Sequence, residues 1–187
     1  MKKINISKIN DEDIYYTESI IKKHWKERKI YKPSDNLKKV QRNILLQIKE
    51  YFFSLSFNNE KYYKDLHINK NEFKHVYSYI RKKNIADMAK NHVWKKFVIR
   101  IDIKSFFNSI TKEMIEKYMK LFFEENNIEI DNFEEFLKIV SYNNSLPIWA
   151  ITSPFISNVV WYYLLDKKIV SHIDERINYS RYADDLI

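Results

Sequence analysis

The chain has 187 residues, an apolar fraction of 45% and a formal net charge of +8. This length suits one globular domain, or one domain with part of another. The excess of cations favours a polyanionic partner, most commonly nucleic acid, with an ordinary basic surface as the alternative. Cysteine is absent, which excludes disulfides and thiolate metal sites and fits a cytoplasmic location. The sequence contains no window of about twenty apolar residues, so no membrane-spanning helix is predicted.

Glycine is missing from the whole sequence. Glycine-rich phosphate loops, both the P-loop and the dinucleotide-binding fingerprint, are therefore excluded. Any turn that needs a positive φ is expected to rely on Asn or Asp instead.

The first part of the chain is polar and basic. Residues 13–30 predict a short helix and then an extended basic segment that ends at Pro33. Its cations either bind phosphates or form a solvated face. Ser34 or Asp35 caps the next helix, in which apolar residues recur at helical spacing. Residues 60–96 interleave basic and aromatic side chains, which suits either a nucleic-acid groove or ordinary surface and core.

Residues 97–103, Phe-Val-Ile-Arg-Ile-Asp-Ile, predict a buried central strand because β-branched residues dominate the run. Asp102 lies inside it, and a buried carboxylate is costly unless it is paired or binds a metal. Three helices are predicted after this strand. The first is capped by Thr111. The second starts at Asp131-Asn132-Phe133-Glu134, which resembles a capping box, and the third begins at Ser153-Pro154 and runs to about residue 172.

The final eleven residues predict a strand, a tight turn that carries Asp184 and Asp185, and the start of a second strand. If these strands neighbour the strand of Asp102, the three carboxylates meet at one sheet edge. Hard oxygen ligands of this kind hold two Mg²⁺ ions in phosphoryl transfer. The alternative is a surface turn and a separate structural acid.

The order of these motifs resembles that of reverse transcriptases, most of all the retron-type bacterial ones, over about residues 25–187. The catalytic hairpin of that family is matched by Arg-Tyr-Ala-Asp-Asp at 181–185, and its first catalytic strand by Ile101 to Ile110. Further matches are Leu146-Pro147 with Thr152 to Asn158, the fingers segment from Arg28 to Pro33, and Ala89 to His92.

The resemblance implies an α+β fold: the fingers and palm of a right-hand polymerase, with helices packed on a small antiparallel palm sheet. Residues 1–96 would be fingers-like and residues 97–187 the palm, truncated just after the hairpin turn, with the thumb absent. The implied activity is RNA-directed DNA synthesis from a primer 3′-hydroxyl, with a role in phage defence. The implied partners are an RNA template, a DNA or RNA primer, deoxynucleotides, a structured non-coding RNA and a second chain that supplies the thumb.

The resemblance also implies residue roles. The metal ligands for two Mg²⁺ ions, or Mn²⁺, would be Asp102, Asp184 and Asp185, which are also the catalytic residues, with the Ile103 carbonyl assisting. Nucleotide contacts would come from Lys26, Arg28, Phe107, Pro154 and Asn158, and Phe107 would exclude a ribose 2′-hydroxyl. Primer or template contacts would come from Trp149, Arg181 and Tyr182.

Two departures from the family pattern keep other functions open. Ile148-Trp149 stands where the family usually has Gln-Gly, and Met88 stands where an Asn normally precedes Ala89. One alternative is a non-catalytic nucleic-acid-binding remnant of a truncated reverse transcriptase. The other is an abortive-infection type of polymerase that adds nucleotides without a template, which the altered loop favours.

Overall fold

The computed structural model describes residues 2–6, 9–23, 26–52, 73–80 and 83–187. Over these residues the chain combines helices with three small sheets, which confirms the expected α+β class. The strands are β1 (Lys2–Ile4), β2 (Tyr16–Lys23), β3 (Lys26–Pro33), β4 (Ile101–Asp102), β5 (Ile128–Ile130), β6 (Arg181–Tyr182) and β7 (Asp185–Leu186). The helices are α1 (Asp35–Phe52), α2 (Ile85–Lys90), α3 (Lys112–Glu125), α4 (Phe133–Val140), α5 (Ser153–Trp161) and α6 (Lys167–His172).

The basic N-terminal segment forms a hairpin of two eight-residue strands, β2 and β3, paired antiparallel. The expectation of a short helix here is wrong. Cross-strand contacts explain the difference, because Lys22 pairs with Glu27 and Lys29 pairs with Glu18, each at 2.8 Å. Opposite charges on facing strands favour the hairpin. In a helix, the partners of these two ion pairs would not lie side by side, because they are five and eleven residues apart in sequence.

Helix α1 begins where its capping signal places it. The Ser34 hydroxyl accepts a hydrogen bond from the Leu37 amide at 3.1 Å and donates to the Asp13 carbonyl at 2.7 Å. Ser34 is therefore the cap, and Asp35 is the first helical residue. The expected end of this helix, near residues 54–59, and the basic-aromatic stretch before residue 73 lie outside the described residues.

One hydrophobic cluster crosses the predicted boundary between residues 96 and 97. It joins Ile4, Leu37 and Ile44 from the first part to Phe136 and Ile139 from the second. Strand β1 also pairs in parallel with β5. The two parts thus share one core.

The helices after β4 follow their sequence signals closely. The Thr111 side chain accepts from the Met114 amide, so the first predicted cap is present. The capping box expected at Asp131 to Glu134 is displaced by one residue, because the Asn132 side chain accepts from the Glu135 amide. The last predicted helix runs to His172 as expected, through a π-helical turn at Tyr162–Asp166. Its expected burial holds for α5 and is wrong for α6, which has no buried residue. The start of the predicted helix differs, because the Ser153 hydroxyl donates to the Pro147 carbonyl instead of capping.

The expected central strand at residues 97–103 is present only as Ile101–Asp102. Phe97 and Ile99 are 80% and 74% exposed, so the expectation that this run is buried is wrong. A strand needs a partner along its whole length, and β7 ends at Leu186. Within the described residues, nothing pairs with the run before Ile101 as a strand.

Positive φ angles occur at eight residues in the described part of the chain, none of them glycine. Asn127, Asn143 and Asn144 follow the expectation that Asn supplies such turns. The expectation is wrong for the other five, which are Tyr79, Trp94, Ser105, Trp149 and Ala183. A separate observation is that no helix in the described ranges is both long and apolar enough to cross a membrane.

Candidate active site

The last strands form a hairpin with a two-residue turn, Ala183-Asp184, between β6 and β7. Ala183 has φ 53°, and Asp184 does not share a positive φ. A positive φ at the first turn residue alone is the pattern of a type II′ hairpin, a turn whose twist matches its strands. The predicted strand–turn–strand arrangement is therefore confirmed.

Strand β4 pairs antiparallel with β7, which confirms that the strand of Asp102 neighbours the hairpin. Asp102 lies directly opposite Asp185, and Tyr182 lies opposite Asp185 on the other side. Directly opposed residues share one face of a sheet, so these three residues form one face. The Ile103 amide donates to the Asp184 carbonyl at 2.8 Å, which ties the turn to the end of β4.

Asp185 forms an ion pair with Arg100. The guanidinium Nε and Nη2 atoms lie 2.9 and 2.8 Å from the same carboxylate oxygen, Oδ1. This hydrogen bond and the charge of Asp185, with smaller contributions from Asp102 and Asp184, raise the pKa of the Arg100 guanidinium. Sequence reasoning missed Arg100, although its position two residues before Asp102 on an extended chain is a signal for a shared face.

The three carboxylates are suited to a divalent cation by their chemistry, because Mg²⁺ and Mn²⁺ prefer hard oxygen ligands. Their side chains are not gathered around a cation, however. Among the described residues, no group of three His, Cys, Asp or Glu side chains is placed so that it could hold a metal ion. The pairing of Asp185 with Arg100 accounts for part of this, since Oδ1 already accepts a hydrogen bond from Nε and lies 2.8 Å from Nη2.

The opposite face of the hairpin is anchored by a buried network around Arg181, which is 0% exposed. Its Nε and Nη2 atoms donate to both carboxylate oxygens of Asp166 at 2.8 to 3.1 Å, and Nη1 donates to Asn158 Oδ1 at 3.3 Å. Nη1 also lies 3.4 Å from the Ala183 carbonyl in the turn. The predicted contact of Arg181 with primer or template therefore does not fit its position.

Asp166 closes the π-helical turn and is the charge partner of the hairpin. It also accepts a hydrogen bond from the Tyr179 hydroxyl at 2.6 Å. Burial, followed by the neighbouring charge of Asp166, raises the pKa of Tyr179 well above its ordinary value. A π-helical turn inserts an extra residue per turn and is frequent at functional sites. Nothing in the local sequence predicted this role for Asp166.

A second strand-like segment holds the hairpin from the other edge. The Arg181 amide donates to the His75 carbonyl at 2.8 Å, and the Tyr77 amide donates to the Arg181 carbonyl at 2.9 Å. His92 also hydrogen-bonds to the Ser180 hydroxyl. Burial, then the charge of Lys95, lowers the pKa of His92. The motif at residues 89–92 thus braces the strand that enters the turn.

Aromatic side chains line the approach to the turn. Phe107 is partly buried and packs against Phe106, with ring centroids 5.1 Å apart. Its other neighbour is Tyr79, at 6.2 Å. Burial, then the charges of Asp184 and Tyr182, raise the pKa of Tyr79. Sequence reasoning missed Tyr79, whose positive φ of 58° was not detectable from residue type.

The other predicted contacts are placed as follows. Trp149 is 59% exposed and has φ 81°, so it keeps the backbone conformation that suits the glycine found there in the resembled family. Asn158 is buried and donates to the Ser78 carbonyl at 3.0 Å, while Pro154 lies in the first turn of α5. Lys26 and Arg28 belong to β3, and their side chains lie outside what the structure describes.

Comparison with known proteins points to one group. The retron Ec83 reverse transcriptase of Escherichia coli is 36% identical over 120 residues, which cover 58% of this chain and 37% of the relative. The retron Ec86 reverse transcriptase of Escherichia coli is 29% identical over 166 residues, which cover 85% of this chain and 43% of the relative. No protein-family profile matches the chain. The chain is thus related in sequence to retron reverse transcriptases, and it spans less than half the length of these two relatives.

Proposed function

We propose that the chain contains the catalytic hairpin of an RNA-directed DNA polymerase, as part of fingers and palm like those of retron reverse transcriptases. The observation that supports this most is the strand register, in which Asp102 lies directly opposite Asp185 and beside the turn of Asp184. The similarity to two retron reverse transcriptases supports the same function. A role in phage defence and recognition of a structured RNA extend this proposal.

Each residue of the site has a role in this function. Asp102, Asp184 and Asp185 would hold two Mg²⁺ ions, or Mn²⁺, with the Ile103 carbonyl. When bound, such ions supply Lewis-acid activation of a primer 3′-hydroxyl and stabilise the charge of the triphosphate. Phe107, backed by Tyr79, would restrict the space beside the sugar. Arg181 would position the turn from behind.

Other contacts in the proposal concern the substrates. Tyr182 shares the carboxylate face and would contact the primer end, and the exposed ring of Trp149 would stack on a template base. Pro154 and Asn158 would support the nucleotide pocket through α5. Lys26 and Arg28, on the basic hairpin, would contact the triphosphate.

Primer extension tests this function directly. The chain is incubated with Mg²⁺, deoxynucleotides and a labelled primer, with and without an annealed RNA template. Template-dependent product that disappears in Asp184→Ala supports the proposal. Asp174→Ala is the matched control because Asp174 pairs with Arg176 in an exposed loop, and it should retain synthesis.

A non-catalytic nucleic-acid-binding protein is the second candidate. The observation behind it is the ion pair of Arg100 with Asp185, which occupies one carboxylate oxygen of the hairpin. Retained RNA binding without synthesis by the wild-type chain would support this candidate and contradict the polymerase. Product formed equally without template would instead support untemplated synthesis, for which the exposed Trp149 loop is the structural argument.

A further inference from the structure

Arg100 lies beside the three carboxylates, and the proposed polymerase function gives it no role. It lies two residues before Asp102. Its guanidinium Nε donates a hydrogen bond to Oδ1 of Asp185 at 2.9 Å, and Nη2 lies 2.8 Å from the same oxygen as an ion pair. Arg100 directly precedes β4 and contacts Asp185 of β7 diagonally, a separation that a long side chain can reach. The charges of Asp102 and Asp184 also act on it. One cation therefore lies in the field of all three carboxylates.

We propose that Arg100 is the internal counter-ion of this carboxylate site: it competes with a divalent cation for Asp185 and, once displaced, binds a phosphate group beside the site. The inference rests on the proposed function. Oδ1 of Asp185 cannot be a free metal ligand while it accepts the Nε–H group and lies 2.8 Å from Nη2. A guanidinium fork released there matches the geometry of phosphate oxygens as well as it matches a carboxylate.

The surroundings of Arg100 allow this exchange. Its side chain is 69% exposed and the partner carboxylate is 19% exposed, so the guanidinium can leave without opening the core. Asp185 stays in place when it does so, because its backbone is paired with both β4 and β6. Substitution of Arg100 should thus leave the fold intact, which makes the inference testable by binding.

Manganese binding measures the competition. Free Mn²⁺ is followed by electron paramagnetic resonance during titration of wild type, Arg100→Gln and Arg176→Gln. Arg176 is the matched control, since it forms a similar Arg–Asp pair at 2.8 Å with Asp174. Arg100→Gln should bind Mn²⁺ about two- to fivefold more tightly, the range that loss of an exposed ion pair allows. Arg176→Gln should bind it as wild type does.

The outcomes separate the inference from the proposed function. Unchanged or weaker Mn²⁺ binding by Arg100→Gln, with normal binding by wild type, overturns the competition. If wild type binds Mn²⁺ and Asp184→Asn does not, the bound ion is assigned to the hairpin. If wild type binds no Mn²⁺, or if Asp184→Asn binds as wild type does, the metal site of the proposed function fails, and the inference fails with it.

Phosphate binding is measured on the same variants with saturating Mn²⁺. The probes are dATP, which offers a triphosphate, and a short RNA–DNA duplex, which offers backbone phosphates. Arg100→Gln should bind one of the two probes several-fold more weakly than wild type does. The probe whose affinity falls identifies the source of the phosphate. In EDTA the difference should vanish, because Arg100 is then occupied by Asp185. Equal affinities of Arg100→Gln and wild type for both probes in Mn²⁺ overturn the phosphate role.

Discussion

Trp149 shows how a single residue carries backbone strain in a chain without glycine. Its φ of 81° lies in the left-handed region, where a β-carbon clashes with the neighbouring carbonyl at a cost of about 1–2 kcal/mol. The side chain is more than half exposed, so little packing offsets this cost. Backbone strain of this kind is often found at binding sites. The position of Trp149 therefore fits a role in template binding better than a role in stability.

The substitution Trp149→Gly should therefore raise the free energy of unfolding relative to Trp149→Ala by about 1 kcal/mol. Both variants remove the ring, and only Gly removes the β-carbon, so the difference isolates the backbone term. Urea unfolding followed by far-ultraviolet circular dichroism measures it. A Gly variant that is less stable than the Ala variant would show that the left-handed conformation is not strained.

At the scale of elements, the π-helical turn between α5 and α6 holds the hairpin by a buried ion pair. Both Arg181 and Asp166 are within 2% of complete burial. Removing one partner of such a pair leaves an uncompensated charge in the interior, whereas replacing both with apolar residues is often neutral. The pair thus specifies where the hairpin sits more than it adds to stability.

Asp166→Asn should lower the free energy of unfolding by about 3–5 kcal/mol. The double variant Asp166→Leu with Arg181→Met should be clearly more stable than Asp166→Asn, because no charge is left unpaired. Thermal and urea unfolding of both variants test this. If Asp166→Asn is as stable as wild type, the Arg181 guanidinium has another partner and the anchoring role is wrong.

The elements also show what local sequence could predict. The cap at Thr111 was predicted because capping is decided within four residues, and the capping box at Asp131 to Glu134 was placed one residue too early. The run before Ile101 was misassigned because burial of a strand depends on a partner that the local sequence does not contain. The resemblance implied a primer or template contact for Arg181, although strand alternation places its side chain on the face opposite to that of Tyr182, where it is buried. The Asp166 contact required a π-helical turn, which has no sequence signal.

At the scale of the whole molecule, Gln41 joins the two predicted parts of the chain. It is 0% exposed, and its Nε2 atom donates to the Ile139 carbonyl at 2.9 Å and to the Tyr16 hydroxyl at 3.0 Å. Its Oε1 atom accepts from the Ile151 amide at 3.1 Å. One helix of the first part thus holds both α4 and the loop that carries Trp149. The Trp149 loop is thus anchored to a helix of the first part of the chain.

Gln41→Ala should destabilise the whole chain by about 2–3 kcal/mol, because the Ile139 carbonyl and the Ile151 amide lose buried partners. Hydrogen exchange should show the Ile151 amide opening first, with protection in α1 and α4 falling together. Gln47→Ala is the matched control on the same helix: its bonds to Asn5, at 2.8 and 2.9 Å, are exposed, so water replaces them. Two results would contradict this prediction: equal destabilisation by the two variants, or loss of hydrogen-exchange protection in α1 without α4. Either would mean that the two parts fold separately and are not held together by a core shared across residues 96 and 97.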